Sequence, residues 1–221
     1  MIVTIEAVYD KPEKWVAYFG YGSLVNDKTR NAESFGLPVR LRGYRRHWSV
    51  WEASPERKAL GLMGAVALSV TANANAFCDG LLIFDHKDHL PQVDLREAHY
   101  TRTPIDYGDM TGTQPLPEGL DCYIYVGQPP LMNRADARYP ILQSYIDAVM
   151  QGFLHKFGQE GVKRFVEETD GWHIPVLGDR MRPIYPRHVS LTDAEMELVD
   201  QYVTASGAPK VTLQQLSPDV G

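Results

Sequence analysis

The stretch Trp15-Val16-Ala17-Tyr18-Phe19-Gly20-Tyr21-Gly22-Ser23-Leu24 joins an apolar and aromatic run to a turn that contains two glycines. Such a run ending in glycine is typical of a buried strand that enters a turn, so we predict a strand over residues 15–21. Glycines on both sides of Tyr21 allow the backbone to turn sharply and to approach a ligand closely. Successive backbone N–H groups in a turn of this kind can bind a carboxylate or an oxyanion.

The same turn has other interpretations. Glycine and serine are also favoured in an ordinary turn at the end of a strand. The dinucleotide-binding fingerprint requires glycine where Val25 stands, and the GxSxG pattern of a serine nucleophile is missing. The residues alone leave a ligand-binding turn and an ordinary turn open.

A second candidate segment is Asp94-Leu95-Arg96-Glu97-Ala98-His99-Tyr100. Pro91 suits the first turn of a helix, and Leu90, Asp94 and Glu97 lie on roughly one side of that helix. Taken alone, Glu97 is predicted to be an exposed acid near the C-terminus of the helix. The helix dipole disfavours a negative charge there, which hints at a function.

Strand patterns cluster before residue 126 and helix patterns after residue 140. Beyond the first strand, we predict strands over residues 39–51, 65–70, 77–84, 101–107 and 120–126, with a bulge at Gly43 and a polar loop over residues 53–62. Apolar residues at spacings of three and four predict a long helix over residues 141–157 that stops at Gly158. We predict further helices over residues 26–33, 90–97 and 162–168, and one from the capping box at Thr192 to about residue 203. This order predicts an α+β (mixed α/β) fold with a small mixed β-sheet or barrel and surrounding helices.

Composition narrows the class of protein. Of the 221 residues, 44% are apolar, and the net charge of −6 argues against nucleic acid as the main partner. No segment approaches the ~20 apolar residues needed to span a bilayer, and the N-terminus lacks a signal-peptide pattern, so we expect a cytoplasmic protein without a membrane partner. Cys78 and Cys122 belong to no CxxC pair and are expected to be small buried residues.

Three segments in this order resemble the γ-glutamylcyclotransferase superfamily. They are FGYGSL at residues 19–24, RGYRR at residues 42–46 and DLREAHYTR at residues 94–102. Tyr145 and Gly152 fit a tyrosine that the family places at the start of a helix, seven residues before a glycine. The resemblance covers residues 15–155 of an expected single domain over residues 1–221. Two departures leave the subgroup open. The chain has a helical extension over residues 156–221, and it has Leu24 where some members have asparagine.

The resemblance implies an enzyme that releases 5-oxoproline from a γ-glutamyl compound. It implies Glu97 as general acid and base, and a set of residues that bind the substrate: Phe19, Gly20, Tyr21, Gly22, Ser23, Leu24 and Tyr145. No cofactor or metal is expected, because a reaction within one well-held molecule reaches effective molarities of about 10⁵–10⁸ M. Whether the substrate is glutathione, a γ-glutamyl dipeptide or a γ-glutamyl amine is left open, and so is a homodimer. The alternatives are a non-catalytic binding module on the same scaffold and a γ-glutamylamine or amide transferase.

Two further clusters have functional and ordinary interpretations. A metal site or a solvated turn would account for a group of imidazoles and carboxylates: Asp85, His86, Asp88, His89 and His99. A nucleic-acid patch, or an arginine that binds the substrate carboxylate, would account for basic residues that alternate along one strand: Arg40, Arg42, Arg45 and Arg46. The chain after Ser206 is expected to be loosely held.

Overall fold

The computed structural model describes residues 5–52, 58, 61–62, 64–117, 119–127 and 138–216. In these residues the chain forms ten strands: β1 (Trp15–Gly20), β2 (Phe35–Glu52), β3 (Gly64–His86), β4 (Tyr100–Pro104), β5 (Met110–Gly112), β6 (Cys122–Gly127), β7 (Ile141–Leu142), β8 (Thr169–Asp170), β9 (Val176–Leu177) and β10 (Lys210–Val211). It also forms five α-helices: α1 (Ile5–Asp10), α2 (Leu90–Arg96), α3 (Gln143–Glu167), α4 (Asp193–Ala205) and α5 (Leu213–Leu216). The predicted α+β class is confirmed.

Strand β1 lies inside a seven-stranded mixed sheet with the order β4-β6-β1-β3-β2-β5, in which β8 also pairs with β2. β1 pairs antiparallel with β3 and parallel with β6. Its residues from Val16 to Gly20 are all buried, so side chains on both faces of this strand are covered. The order has two different end strands, so the described part of the sheet is open and does not form the barrel that the sequence left as an alternative.

Strands β2 and β3 form a long antiparallel ribbon. Its register shifts between Arg42 and Tyr44, where Gly43 has a φ of +95°, which confirms the predicted bulge. The prediction of two strands over residues 65–70 and 77–84 is wrong, because β3 is continuous across both. Residues 71–75 are exposed and polar or small, so no apolar alternation marks them as strand.

Helix α3 is the central helix, and its residues from Gln143 to Phe153 are all buried. The predicted stop at Gly158 is found as a break inside the helix, where φ is +66° and ψ is −171°. The segment after the break contains the predicted helix over residues 162–168. The capping box of Thr192 and Glu195 opens α4 as predicted.

A second, three-stranded sheet of order β10-β9-β7 is parallel throughout and leads directly into α3. Pairing of Lys210–Val211 in this sheet corrects the expectation that the chain is loosely held directly after Ser206. A backbone hydrogen bond outside the strands also holds this segment in place: Gly178 N donates to the Val211 carbonyl at 3.0 Å.

Other local predictions have mixed outcomes. A single 3₁₀ turn at Asp27–Thr29, capped by the Asn26 side chain, replaces the helix predicted over residues 26–33. The loop predicted over residues 53–62 lies mostly outside the described residues. Cys78 and Cys122 are buried free thiols, as predicted. Across the described ranges, each helix is too short or too polar to cross a bilayer.

Candidate active site

The turn after β1 is fixed against the central helix. A 3₁₀ turn over Ser23–Val25 begins immediately after Gly22, with Val25 N donating to the Gly22 carbonyl at 3.0 Å. This short turn leaves the N–H groups of Ser23 and Leu24 without an acceptor inside it. The Asn26 amide then donates to the Ala148 carbonyl of α3 at 2.9 Å.

Two glycines allow this close packing. A Cβ atom on Gly152 of α3 would lie 2.7 Å from the Asn26 backbone nitrogen, so only glycine lets the helix approach the turn. A Cβ atom on Gly22 would lie 3.2 Å from the Tyr145 hydroxyl. Gly22 has a φ of −128°, so its role is to leave room for Tyr145 rather than to adopt a left-handed conformation.

Glu97 is the residue that terminates α2. Its N–H donates to the Val93 carbonyl at 2.9 Å, and its own carbonyl accepts from Tyr100 N at 2.8 Å. The side chain is only 15% exposed, so the expectation of an exposed acid is wrong. Distant parts of the chain cover the end of the helix, which a local pattern cannot show.

An arginine next in sequence holds this carboxylate. Arg96 Nε lies 2.9 Å from Glu97 Oε1, and the same guanidinium donates to the Thr29 carbonyl at 2.5 Å and to the Ser23 hydroxyl at 3.3 Å. Burial raises the pKa of the Glu97 carboxyl above its ordinary value, whereas the positive charges of Arg96 and Arg187 act in the opposite direction. Arg96 therefore ties the carboxylate to the glycine turn.

Neutral tyrosines surround the carboxylate. The Tyr100 hydroxyl donates to the Leu68 carbonyl at 2.8 Å, and the Tyr145 hydroxyl accepts from Leu68 N at 3.5 Å. The Tyr21 hydroxyl donates to the Tyr125 carbonyl at 2.5 Å. Burial raises the pKa of Tyr21, Tyr100 and Tyr145 above the ordinary value for a phenol, so these hydroxyls keep their protons near neutral pH.

These groups line two adjoining cavities. The inner cavity, about 40 Å³, is lined by the whole predicted turn over residues 19–24 together with Glu97, Tyr100, Tyr125 and Tyr145. The outer cavity, about 150 Å³, shares Ser23, Glu97, Tyr100 and Tyr145 with it. The structure thus brings together around one site every residue that the sequence proposed for it: Phe19, Gly20, Tyr21, Gly22, Ser23, Leu24, Glu97 and Tyr145.

Two residues of the outer cavity, Tyr185 and Arg187, have no counterpart in the sequence prediction. They lie in a loop between β9 and α4. The ring of Tyr185 packs edge-on against Tyr145, with centroids 4.9 Å apart. No pattern near Tyr185 indicates a site, because only the packing of this loop on α3 places it there.

The two alternative clusters lie outside the inner and outer cavities. Each of the four arginines of β2 contacts groups of the protein itself: Arg40 binds Asp79 and Glu168, Arg42 binds Asp109, Arg45 binds Asp170, and the buried Arg46 binds the Asp79 carbonyl. None of them lines the inner or the outer cavity. His89 Nδ1 lies 2.7 Å from Asp85 Oδ1, and within the described residues no group of three or more His, Cys, Asp or Glu side chains is arranged to hold a metal ion.

Comparison with solved structures identifies the fold. An uncharacterised protein from Homo sapiens matches with a TM-score of 0.53 and 13% identity, covering 85% of this chain and 99% of that one. A structure named gamma-glutamyl cyclotransferase matches with a TM-score of 0.52 and 13% identity over the same shares. YkqA from Bacillus subtilis matches with a TM-score of 0.50 and 13% identity, covering 73% of this chain and 56% of that one. No protein-family model and no curated protein sequence matches the chain. The fold is therefore γ-glutamyl cyclotransferase-like.

Proposed function

We propose that this chain, with its γ-glutamyl cyclotransferase-like fold, converts a γ-glutamyl compound into 5-oxoproline and a free amine. One observation carries the proposal. The shielded carboxylate of Glu97 and the glycine turn over residues 20–24 line the same cavity, and Arg96 contacts both of them. A base and a set of backbone N–H groups are what the cyclisation requires.

The first step is removal of a proton. Glu97 takes a proton from the α-ammonium group of the substrate, and the freed amine attacks the γ-carbonyl carbon to close a five-membered ring. Because burial raises the pKa of Glu97, its carboxylate is a stronger base than a solvated glutamate. Backbone N–H groups of the turn stabilise the negative charge that develops on the γ-oxygen.

The second step is release of the leaving group. The ring intermediate collapses: the bond from the γ-carbon to the leaving nitrogen breaks, and that nitrogen takes the proton from Glu97. The new ring nitrogen still carries a second proton, which it gives through Glu97 to the released amine, and the amine departs as an ammonium ion. The carboxylate is thereby restored and no water is consumed. Tyr145, with its neutral hydroxyl beside Gly22, orients the substrate without competing for the proton.

A panel of γ-glutamyl compounds, incubated with the purified protein and assayed for 5-oxoproline, tests this proposal. We expect product from the wild type and a loss of at least about 100-fold in Glu97→Gln, since general acid–base catalysis contributes about 10²–10⁴-fold. Asp88→Asn is the matched control, because its side chain is 85% exposed and lies just before α2. Near-normal turnover in Glu97→Gln would show the assignment to be wrong.

The same panel separates the alternatives. A binding module would be stabilised against heat by a γ-glutamyl compound without forming any product. A γ-glutamyl transferase would release the amine but leave the glutamyl group uncyclised.

A further inference from the structure

Arg187 lies where two cavities meet. It lines the outer cavity, and it also lines a side cavity of about 350 Å³ whose wall includes Leu24, Arg30, His89 and Arg96. The residue is exposed, and among the described residues its guanidinium makes no hydrogen bond or ion pair.

The other two arginines of these walls are already occupied. Arg30 pairs with Asp27 and donates to the Ser34 hydroxyl at 3.2 Å. Arg96 binds Glu97 and the turn after β1. Of the three guanidinium groups, that of Arg187 is the one whose donors are available to a ligand.

The loop that carries Arg187 is firmly anchored. Asp179, which is 3% exposed, accepts hydrogen bonds from the backbone N–H and hydroxyl of Ser144 and from the N–H of Ile184. Tyr185 N donates to the Ser144 hydroxyl at 3.2 Å. This anchoring places Tyr185 on Tyr145 and fixes the backbone two residues before Arg187.

We propose that Arg187 binds a carboxylate on the leaving group, an inference that rests on the proposed function. The substrates are then γ-glutamyl amino acids or short γ-glutamyl peptides rather than γ-glutamyl amines. Arg187 lines the outer cavity and not the inner one. With the γ-glutamyl group bound at the glycine turn, as the proposed function requires, Arg187 is therefore placed beside whatever is attached to that group. A guanidinium matches a carboxylate with two parallel hydrogen bonds, and the side cavity leaves room for a longer leaving group.

Two substrates that differ only in this carboxylate provide the test. γ-Glutamylalanine and γ-glutamylethylamide release alanine and ethylamine, which are the same amine with and without the carboxylate. We expect Arg187→Gln to lower the ratio of kcat/KM for γ-glutamylalanine over γ-glutamylethylamide by about tenfold, because a hydrogen bond to a charged group is lost. The ratio is informative because any effect of Arg187 on the Glu97 carboxylate is common to both substrates.

Two further variants complete the experiment. Arg182→Gln, which removes an exposed arginine of the same loop that lines neither cavity, should leave the ratio unchanged. Arg187→Lys, which keeps the charge without the planar fork, should recover part of it. Calorimetric titration of both compounds into Glu97→Gln, with and without Arg187→Gln, measures the same preference without turnover.

The outcomes separate this inference from the proposed function. If the wild type forms 5-oxoproline but Arg187→Gln affects both substrates equally or neither of them, the carboxylate site is overturned and the function stands. If no 5-oxoproline forms but γ-glutamylalanine binds in an Arg187-dependent manner, the function is overturned and the carboxylate site is supported. Absence of both product and binding overturns both.

Discussion

At the scale of single residues, the carboxylate of Glu97 is subject to two opposing effects. Withdrawal from water disfavours its charge and raises its pKa, while the guanidinium of Arg96 at 2.9 Å stabilises the charge. Burial is the larger effect. The residue is therefore kept as a reactive base at a cost to the stability of the folded state.

This cost predicts a pH-dependent stability. Because the pKa of Glu97 is raised above 4.5 in the folded state, the folded protein binds this proton more tightly than the unfolded chain. The stability of the wild type then falls as the pH rises from near 4.5 through the folded-state pKa, by about 1.4 kcal/mol for each pH unit between the two values. Glu97→Gln does not ionise, so its free energy of unfolding relative to the wild type should increase over this window.

Denaturant unfolding of both proteins near pH 4 and near pH 8 measures this difference. Glu160→Gln, at a side chain that is 65% exposed, is the control. The difference between its free energy of unfolding and that of the wild type should change little with pH. A difference between Glu97→Gln and the wild type that stays flat or shrinks as the pH rises would contradict a raised pKa.

The identity of Glu97 as a candidate could be predicted from the sequence, but its environment could not. The segment around it indicates a helix end, where a charged side chain usually faces water. Glu97 lines a cavity together with Tyr145 and Tyr185, which are far away in sequence. The periodicity of α2 contains no information about these residues.

At the scale of elements, the contact between α3 and the turn after β1 sets the geometry of the site. The helix carries Tyr145 into the cavity, and Gly152 lies two turns later on the same side, against Asn26. The spacing of seven residues thus has a physical reason: one residue contacts the substrate site and the other permits the approach.

Gly152→Ala tests this contact. The new Cβ would lie 2.7 Å from Asn26 N, so α3 must move away from the turn, at a cost of about 1–3 kcal/mol for overpacking. We expect lower stability in denaturant unfolding together with a reduced kcat/KM, because Tyr145 moves with the helix. Gln159→Ala, at an exposed position of α3, should change neither; unaltered stability in Gly152→Ala would refute the packing argument.

Elements with a strong apolar pattern could be predicted well from the sequence. The apolar patterns of β1 and α3 are long enough to show that the first is a strand and the second a helix. The capping box marks the start of α4. The sequence predicts two separate strands in place of β3 because the exposed middle of β3 has no apolar alternation. Backbone pairing with β2 on both sides of the bulge keeps that stretch extended.

At the scale of the whole molecule, the loop after β9 of the second sheet contributes Tyr185 and Arg187 to the outer cavity. Ser23, after β1 of the first sheet, lines the same cavity. Asp179 and Arg180 follow β9 and join this region to α3. Arg180 binds Asp147 with two hydrogen bonds of 2.8 Å and also pairs with Asp200 of α4. Asp147 is 2% exposed, and Arg180 is the cation that pairs with its carboxylate.

A double-mutant cycle tests this pair. Arg180→Gln should cost about 3 kcal/mol in the free energy of unfolding, because it leaves a buried carboxylate without its cation. Asp147→Asn in the same background should recover part of this loss, since the uncompensated charge is removed. Purely additive effects of the two substitutions would show that the pair does not join the loop to α3.

This long-range organisation could not be predicted from the sequence. The choice between an open sheet and a barrel depends on which strands become edges, and short strands such as β5 and β8 have no pattern of their own. The contribution of Tyr185 and Arg187 to the cavity likewise depends on a loop whose position is set by Asp179 and Arg180.

The central claim is that the Glu97 carboxylate is the group that moves the proton. The most direct test compares two values in the free enzyme: the pKa of the Glu97 carboxyl from NMR titration, and the midpoint of the acid limb of kcat/KM for 5-oxoproline formation, which reports essential groups of the free enzyme. We predict that the two values coincide and lie above 4.5. An acid limb whose midpoint differs from the titration of Glu97, or one that persists with full activity in Glu97→Gln, would contradict the account.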